Sequence, residues 1–306
     1  MGSSISKEEA KSVVPNESPK SPRNVLENLA KDIKRKASNN AKRHENVLKA
    51  NLRQAKFRPE FSAYRPNYGN PCELDYRFHT NVWNRGASER DPCYRRQPKN
   101  NSKLKGAVCT NSKIKGNENK INDTGACAPY RRRNICDYNL EHIHEGNVLT
   151  TDDLLGNVLV MAKNEGASIV NSNAHNGVLN VCTVLARSFA DIGDILRGKD
   201  LYLGNNESEK KKREELQGNL EKIFTKIIKN DKTLNNLSNG QVREAWWALN
   251  RKDVWKALTC SAPHNAQYVK YVPGNTTAVS SNKCGHNDMN VPTNLDYVPQ
   301  FLRWFE

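Results

Sequence analysis

Four residues near the end of the chain are of the types that bind zinc. Cys260, His264, Cys284 and His286 offer two thiolates and two imidazoles, which is a common zinc ligand set. Three residues separate the first pair and one residue separates the second, and these spacings fit structural zinc sites poorly. We therefore favour a neighbourhood of disulfides, and the sequence predicts neither a metal site nor a cofactor.

A second histidine group lies in the middle of the chain. His142 and His144 stand between Glu141 and Glu145, so ligand types recur two positions apart. Such residues share a face only in a β-strand. We interpret this segment as helix or loop surface.

Motifs of catalysis are missing from the sequence. It contains no GxSxG, P-loop, GxGxxG or HExxH pattern, and no serine or cysteine is set beside a histidine as a nucleophile would be. We predict no catalytic residue and no enzyme activity.

The charge of the chain indicates a polyanionic partner. The formal net charge is +15 and the sequence pI is about 9.4. Nucleic acid, anionic lipid, and sulfated or sialylated sugar all meet this description. Charge alone does not choose among them.

The densest imbalance lies between Tyr94 and Arg133, where eleven basic residues face only Glu118 and Asp123. A charge run is commonly a solvated loop, but this one lies beside three cysteines that could hold it in place. The basic residues, which we predict as an anion site, are Arg95, Arg96, Lys99, Lys103, Lys105, Lys113, Lys115, Lys120, Arg131, Arg132 and Arg133.

The cysteines point to an oxidising compartment. Their even number and their scatter through a loop-rich chain without a CxxC pair are typical of disulfides. The sequence leaves the pairing open, and it shows neither an 18-residue apolar stretch nor a signal peptide. The eight cysteines are Cys72, Cys93, Cys109, Cys127, Cys136, Cys182, Cys260 and Cys284.

A long N-terminal helix is predicted to follow a polar, flexible tail of residues 1–20. Ser21-Pro22 supplies a start signal and Arg58-Pro59 a stop, which allows about 35 residues or roughly 50 Å. Eleven Lys or Arg residues face three acids in this segment. We expect the helix to dock on the main domain through its apolar positions, which are Leu26, Leu29, Ile33, Ala37, Ala41, Leu48, Leu52 and Ala55. We expect it to extend the cationic surface through Lys34, Arg35, Lys42 and Arg43.

Residues 61–134 lack periodicity and are expected to form an irregular layer stapled by disulfides. Four helical patterns follow, which suits a bundle. The central pattern spans 178–203, where Gly193 is expected to mark a close helix crossing. The others begin near Thr150, Glu207 and Ser238. Residues 261–292 are predicted to be a polar loop that Cys260 and Cys284 either close or fix to the rest of the domain.

Three segments together resemble a known family. They are CAPYRRRNICDYNL at 127–140, ARSFADIGDILRGKDLY at 186–202, and the stretch at 291–306 that ends in PQFLRWFE. In this order they are similar to the Duffy-binding-like alpha domain at the head of the malarial erythrocyte membrane protein one family. The resemblance covers about residues 70–306, and residues 1–69 are similar to that family's N-terminal segment.

The resemblance implies a mostly α protein of the Duffy-binding-like fold. A long N-terminal helix would precede an irregular disulfide-stapled subdomain and then a helical bundle. It implies two domains: residues 1–69 as the N-terminal segment, and residues 70–306 as the first two subdomains, cut before or at the start of the third. The lack of a terminating residue after Phe301 fits such a cut, and Arg133 departs from the aliphatic residue usual at that position.

The resemblance also implies an adhesin on the outer face of the infected erythrocyte, anchored by a segment beyond this chain. Such domains take part in rosetting. The host receptors that they bind include sulfated glycosaminoglycans such as heparan sulfate, as well as complement receptor and blood-group sugars. We expect a monomer without nucleic-acid binding or membrane insertion. The alternative from charge alone is an intracellular nucleic-acid-binding protein.

Overall fold

The structure, a computed structural model, describes residues 21–58, 69–82, 86, 88–94, 108–119, 124–173, 180–272 and 276–304. Helices dominate these residues, as predicted. In chain order they are α1 (Pro22–Ala41), α2 (Glu45–Leu48), α3 (Tyr130–Arg133), α4 (Tyr138–Glu141), α5 (Thr151–Asn173), α6 (Val181–Arg197), α7 (Glu207–Asn230), α8 (Asn239–Leu258), α9 (Asn282–Gly285) and α10 (Gln300–Arg303). A hairpin joins β1 (Val269–Val272) to β2 (Thr276–Val279).

Helix α8 lies at the centre of the core and packs against α1, α5, α6 and α7. Its side chains Trp246, Trp247 and Trp255 are at most 2% exposed. The ring of Phe189 on α6 lies 5.1 Å from that of Trp247 and 5.2 Å from that of Trp255, centre to centre. Large aromatic side chains each bury on the order of 150–250 Å², so this cluster joins α6 firmly to α8.

Capping hydrogen bonds fix where two of the predicted helices begin. Thr150 Oγ1 accepts from the backbone of Asp153 at 3.2 Å, while the Asp153 carboxylate accepts from the backbone of Thr150 at 3.1 Å. Ser238 and Gln241 make the same reciprocal pair before α8. Each pair satisfies two backbone donors that a helix start leaves open, and both predicted starts are confirmed.

Gly193 marks a close helix crossing, as the sequence predicted. A Cβ atom at this position would lie 2.7 Å from the Trp247 indole. Gly166 of α5 serves α8 in the same way, because a Cβ atom there would overlap the carbonyl of Leu258. The two glycines let α6 and α5 approach the central helix. Val178, predicted to start the α6 pattern, lies outside the described residues.

The N-terminal helix is present but shorter than predicted. It ends at Ala41, and a 3₁₀ turn and the short α2 continue it to Leu48. Asn250 of α8 then captures the main chain: its side chain donates to the carbonyl of Leu48 at 2.8 Å and accepts from the N–H of Ala50 at 2.9 Å. These two backbone groups therefore bond to Asn250 instead of to helical neighbours, and the chain is extended after Leu48.

Helix α1 docks through a mixed face: the predicted Leu26, Ala37 and Ala41 pack on the core, and polar residues lie beside them. Asn24 and Glu27 are at most 1% exposed, whereas Leu29 and Ile33 are 67% and 54% exposed. The prediction that these two apolar residues face the domain is therefore wrong. Part of the surface beneath α1 is itself polar: the Arg23 guanidinium donates to the carbonyl of Val269 at 2.9 Å and so joins α1 to β1.

The segment predicted as a polar loop contains the antiparallel hairpin, with Val269 paired to Val279 and Val272 to Thr276. Strands of only four residues are too short to give a clear alternating signal, so the sequence analysis missed them. Cys260 and Cys284 do not bond to each other, so they do not close this segment; they fix it to Cys72 and Cys182 instead.

The irregular layer before α3 packs on a small second apolar cluster. Short 3₁₀ turns and isolated bridges replace regular elements in its described residues. One bridge pairs Val108 with Ala128 and another pairs Ile114 with Tyr202. The buried members of the cluster are Val108, Ile114, Ala128, Tyr202 and Trp304.

Candidate anion-binding surface

All eight cysteines are paired, which confirms the predicted disulfides. The spans range from 18 to 188 residues, so the bonds tie distant parts of the chain together. The pairs are Cys72–Cys260, Cys93–Cys136, Cys109–Cys127 and Cys182–Cys284. Disulfides of this kind persist in oxidising compartments, which weighs against the intracellular alternative.

The histidines beside these bonds do not form a zinc site with them. Cys260 and Cys284 belong to two different disulfides, so neither offers the thiolate that zinc needs. His286 instead shares a hydrogen bond of 2.9 Å with Thr259 Oγ1. Burial, with Lys283 and Lys256 nearby, lowers the pKa of His286 to about 4.

The second histidine group is partly interior. Glu141 is 4% exposed and Ile143 is 1% exposed, so the interpretation of this segment as surface is wrong for both. Ile143 bridges to Val82 of the irregular layer. His144 is exposed and accepts from the backbone of Gly146 at 3.0 Å, which makes it a turn residue.

The richest part of the basic run lies between two anchored cysteines. Cys93 is bonded to Cys136 and Cys109 to Cys127, with Cα atoms 4.3 Å apart in each pair. Predicted site residues outside the described part of the chain are Arg95, Arg96, Lys99, Lys103, Lys105 and Lys120. Their place in an anion site stays a prediction.

Lys113 and Lys115 are fixed by the backbone between them. The N–H of Lys115 donates to the carbonyl of Leu201 at 2.8 Å, and the carbonyl of Lys113 accepts from Leu203 at 2.9 Å. The intervening Ile114 is fully buried. Lys115 is exposed and Lys113 half-buried, so both lysines are held at the surface on an ordered support.

Arg131 and Arg132 are interior residues, and their predicted contact with glycan is corrected here. Arg131 donates to Asp191 at 2.5 Å and is 7% exposed. Arg132 is fully buried and makes a two-pronged ion pair with Asp200. These pairs withdraw both guanidinium groups from the outer surface, where a glycan chain would bind.

These pairs belong to a buried network that joins the three segments on which the resemblance rests. Arg303 donates to Asp191 at 2.7 Å and also to Asp194. Burial alone would raise the pKa of Asp191, but Arg131 and Arg303 hold it well below its usual range. The conspicuous arginines of 127–140 and 291–306 therefore meet the aspartates of 186–202 inside the fold.

The remaining predicted cations differ in exposure. Lys34 is half-buried, and burial lowers its pKa, so it contributes less to an outer face than predicted. Arg133 is half-buried, with its guanidinium carbon 5.9 Å from the centre of the Tyr130 ring. Arg35 is exposed and paired with Asp32 at 3.1 Å. Lys42 and Arg43 are both exposed on the turn that follows α1.

One residue of the charged run 210–213 has a structural role. Arg213, in the run 210–213 at the start of α7, donates to Asp137 at 2.7 Å and is 9% exposed. Its place three residues before the buried Leu216 puts it on the inner face of the helix, and this spacing could have identified it. Lys210 is half-buried on the same side.

The comparisons with known proteins agree with this architecture. The sequence model of the Duffy binding domain matches residues 125–303, more than half of the chain. The chain belongs to the Duffy binding domain family. A second model, for the N-terminal segments of PfEMP1, matches residues 21–56 of this Duffy binding domain protein. The boundary predicted after residue 69 falls between the two matches and stays a prediction.

Solved structures support the same assignment. The NTS-DBL1-alpha and CIDR-gamma double domain of PfEMP1 from the Plasmodium falciparum varO strain is 45% identical over 94% of this chain, with a TM-score of 0.81. The NTS-DBL1(alpha-1) domain of the same strain is 42% identical over 95%, with a TM-score of 0.74. An ICAM-1-binding DBLbeta domain of PfEMP1 is 27% identical over 92%, with a TM-score of 0.64. The resemblance to NTS-DBL1-alpha and the Duffy-binding-like fold are confirmed.

This Duffy binding domain protein is shorter than its solved relatives. It spans 43% of the double-domain structure, 61% of the varO NTS-DBL1 structure and 62% of the DBLbeta structure. No curated protein matches it. Among the described residues, no helix is both long and apolar enough to cross a membrane.

Proposed function

We propose that this protein is a host-cell adhesion module that binds sulfated glycans and erythrocyte receptors. The observation that carries the proposal is the 45% identity to an NTS-DBL1-alpha domain across 94% of the chain. A PfEMP1 DBLbeta structure, 26% identical, is described as bound to ICAM-1, which supports receptor binding as the role of this domain type. The module acts on the outer face of the infected erythrocyte, in rosetting.

The anchored basic segment between Cys93 and Cys109 is the proposed glycan site. Its five cations are Arg95, Arg96, Lys99, Lys103 and Lys105, and Lys113 and Lys115 extend it on the ordered support beside Leu201. Anchoring by two disulfides reduces the entropy that the segment loses on binding. We leave Arg131 and Arg132 out of the site because both are buried. Exposed Arg35, Lys42 and Arg43, with half-buried Lys34 and Arg133, form its proposed periphery.

Binding to intact erythrocytes tests the proposal. The oxidised 306-residue chain should attach to red cells, and soluble heparin should reduce the attachment. Attachment that heparin does not affect would keep a receptor role and remove the glycan. If the folded chain binds neither red cells nor heparin, the proposed function is wrong.

A matched pair of variants locates the glycan site. Replacing Arg95, Arg96, Lys99, Lys103 and Lys105 with Ser removes five charges, as does replacing Lys211, Lys226, Lys229, Lys232 and Lys252. By analogy with phosphate contacts, each lost contact should reduce the slope of log affinity against log salt concentration by roughly 0.7–0.9. We expect heparin affinity to fall far more in the first variant. Equal losses in two folded variants would show that only total charge matters.

A further inference from the structure

A cavity of about 300 Å³ opens between the end of α6 and the start of α7. It lies at the small end of typical ligand pockets, which span about 300–1,000 Å³. Basic and hydroxyl side chains make up much of its polar lining, and they come from distant parts of the sequence. These side chains are Lys115, Arg132, Tyr202, Lys210, Arg213 and Arg243.

Three buried polar atoms in this lining have no hydrogen-bond partner. They are Tyr202 Oη, Arg132 Nη1 and Arg213 Nε, on side chains that are 2%, 0% and 9% exposed. The two guanidinium carbons lie 5.3 and 5.1 Å from the centre of the Tyr202 ring, so the donors are near neighbours. A buried polar atom without a partner costs about 1–3 kcal/mol. Three of them at one cavity indicate that an acceptor belongs there.

Arg243 adds a positive charge that no described side chain neutralises by contact. Its guanidinium donates to the carbonyls of Leu196 at 2.6 Å and Ile195 at 3.0 Å, and to the Gln217 side chain at 2.8 Å. All three acceptors are uncharged. Buried charges are normally paired, and burial lowers the pKa of Arg243 to about 10. An anion in the cavity would stabilise this charge.

The carboxylates around the cavity do not satisfy this need. Asp200 is already engaged by Arg132 and accepts from Gln300 Nε2 at 2.9 Å. Glu214 and Glu221 are exposed, and Glu221 only partly offsets the effect of burial on the pKa of Arg243. Lys115, also exposed, and the half-buried Lys210 add positive charge.

We propose that this cavity binds one oxyanion group, a sulfate ester or a carboxylate, carried by a ligand about the size of a single sugar. The Tyr202 hydroxyl and the two arginine N–H groups donate to its oxygens, and such charge-assisted bonds are stronger than neutral ones. Arg243 and Lys210 supply the compensating charge. None of the lining residues is one of the five cations between Cys93 and Cys109, and only Lys115 also belongs to the proposed glycan site. The pocket is therefore tested independently of heparin binding by that segment.

Calorimetric titration of the oxidised 306-residue chain tests the pocket. Glucosamine 6-sulfate and N-acetylneuraminic acid represent the sulfate and carboxylate sources, and neutral N-acetylglucosamine is the control. At least one of the two anionic sugars should bind, while the neutral sugar should not. The sugar that binds identifies the source. If neither binds, or if the neutral sugar binds equally well, the proposal is overturned.

Two tyrosine variants distinguish a ligand contact from a structural role. Tyr202→Phe removes a hydroxyl without a partner, so the free energy of unfolding should stay unchanged or rise. Affinity for the anionic sugar should fall about tenfold, the effect of one charged hydrogen bond. Tyr297→Phe is the matched control, because its hydroxyl is also buried and without a partner but lies outside this cavity. It should bind like the unmodified chain.

A charge variant completes the test. Lys210→Gln should weaken anion binding, whereas Lys211→Gln, one residue further along α7 and outside the cavity, should not. Calorimetry is preferred to thermal shifts because sulfate stabilises folded proteins without a specific site. Equal affinity for the anionic sugar in the unmodified chain, Tyr202→Phe and Lys210→Gln would refute the pocket, whatever the result for heparin binding.

Discussion

The hydroxyl of Tyr268 donates to the buried carboxylate of Glu27, across 241 residues of sequence. Glu27 also accepts from the backbone of Asn294 at 3.1 Å, while Arg23 lies 3.8 Å away. One carboxylate on α1 therefore contacts a residue beside the hairpin and another within the third resemblance segment. This contact explains why α1 buries polar side chains against the domain.

Tyr268→Phe should lower the free energy of unfolding by about 1.5–3 kcal/mol, the range for a hydrogen bond to a charged group. Urea unfolding of the oxidised chain measures it. Tyr297→Phe, which removes a hydroxyl without a partner, is the control and should not be destabilising. Equal effects of the two variants would show that the Glu27 contact contributes nothing.

Glu27 should also make stability depend on pH. Burial raises the pKa of Glu27, although Tyr268 and nearby cations act against the rise. The folded state therefore holds the proton more tightly than the unfolded state. The stability from Glu27 is complete below the unfolded pKa of about 4.3 and is lost as pH rises through the folded pKa. Glu27→Gln should remove this loss, so its stability relative to the unmodified chain should rise with pH in urea titrations.

Asp191→Asn should be among the most damaging single substitutions. It leaves Arg131 and Arg303 buried beside a neutral amide, which should cost about 3–5 kcal/mol. Asp253→Asn, in the surface pair with Lys49 at 2.5 Å, should cost at most about 1 kcal/mol. The depressed pKa of Asp191 predicts stability that is complete above about pH 3.9 and lost at lower pH. An Asp191→Asn variant whose stability in urea titrations falls at low pH as steeply as that of the unmodified chain would contradict this.

Protonation of His286 should destabilise the fold. Its pKa of about 4 in the folded state lies below the unfolded value of about 6.5. Stability should therefore fall as pH is lowered from 6.5 to 4, because the unfolded chain binds the proton more readily. His286→Gln should flatten this slope in urea titrations. The exposed His264→Gln should leave it unchanged, and an equal effect of both would exclude His286 as the cause.

Asn250→Ala should release the segment after α1. The substitution removes the partners of Leu48 and Ala50, at about 1–3 kcal/mol for each unsatisfied buried group. Limited proteolysis of the unmodified chain should remove residues 1–20 and spare 25–55. In the variant, cleavage should appear between residues 45 and 58 while α1 stays protected. Rapid cleavage throughout 25–55 in the unmodified chain would disprove docking.

The disulfides should differ in what their loss costs. The Cys72–Cys260 bond closes a span of 188 residues and Cys109–Cys127 a span of 18. In the chain-entropy account, replacing Cys72 and Cys260 with Ser should cost about 2 kcal/mol more stability than replacing Cys109 and Cys127 with Ser. Heparin affinity should show the reverse order, because Cys109 anchors the basic segment. Equal affinity in both double variants would separate glycan binding from that anchor.

Local signals in the sequence located most of the helices. The Thr150 and Ser238 caps and the Gly193 crossing depend on neighbours within a few residues or on the need for close packing. Sequence could not show which face of α1 docks, because the surface that receives it combines polar with apolar groups and is built from α8 and β1, far along the chain. Periodicity assumes an apolar receiving surface, so Leu29 and Ile33 were placed inward.

The same limit explains the basic run. Arg131 and Arg132 look like their surface neighbours, and their aspartate partners lie 60 and 68 residues further along the chain. Cysteine pairing is equally non-local. The resemblance identified the fold because it depends on the order of three segments, and the buried network shows why those segments carry so many charged residues.

The Cys72–Cys260 bond has a mechanical consequence for the proposed adhesion module. A pull applied between Ser21 and Trp304 is carried by this disulfide. The force therefore bypasses the residues between Cys72 and Cys260, which include helices α5 to α8. Under tension these four helices cannot be drawn out in line. The bond therefore confines extension under load to parts of the chain outside this span, among them α1 and the stretch after Cys260, while α5 to α8 carry no end-to-end pull.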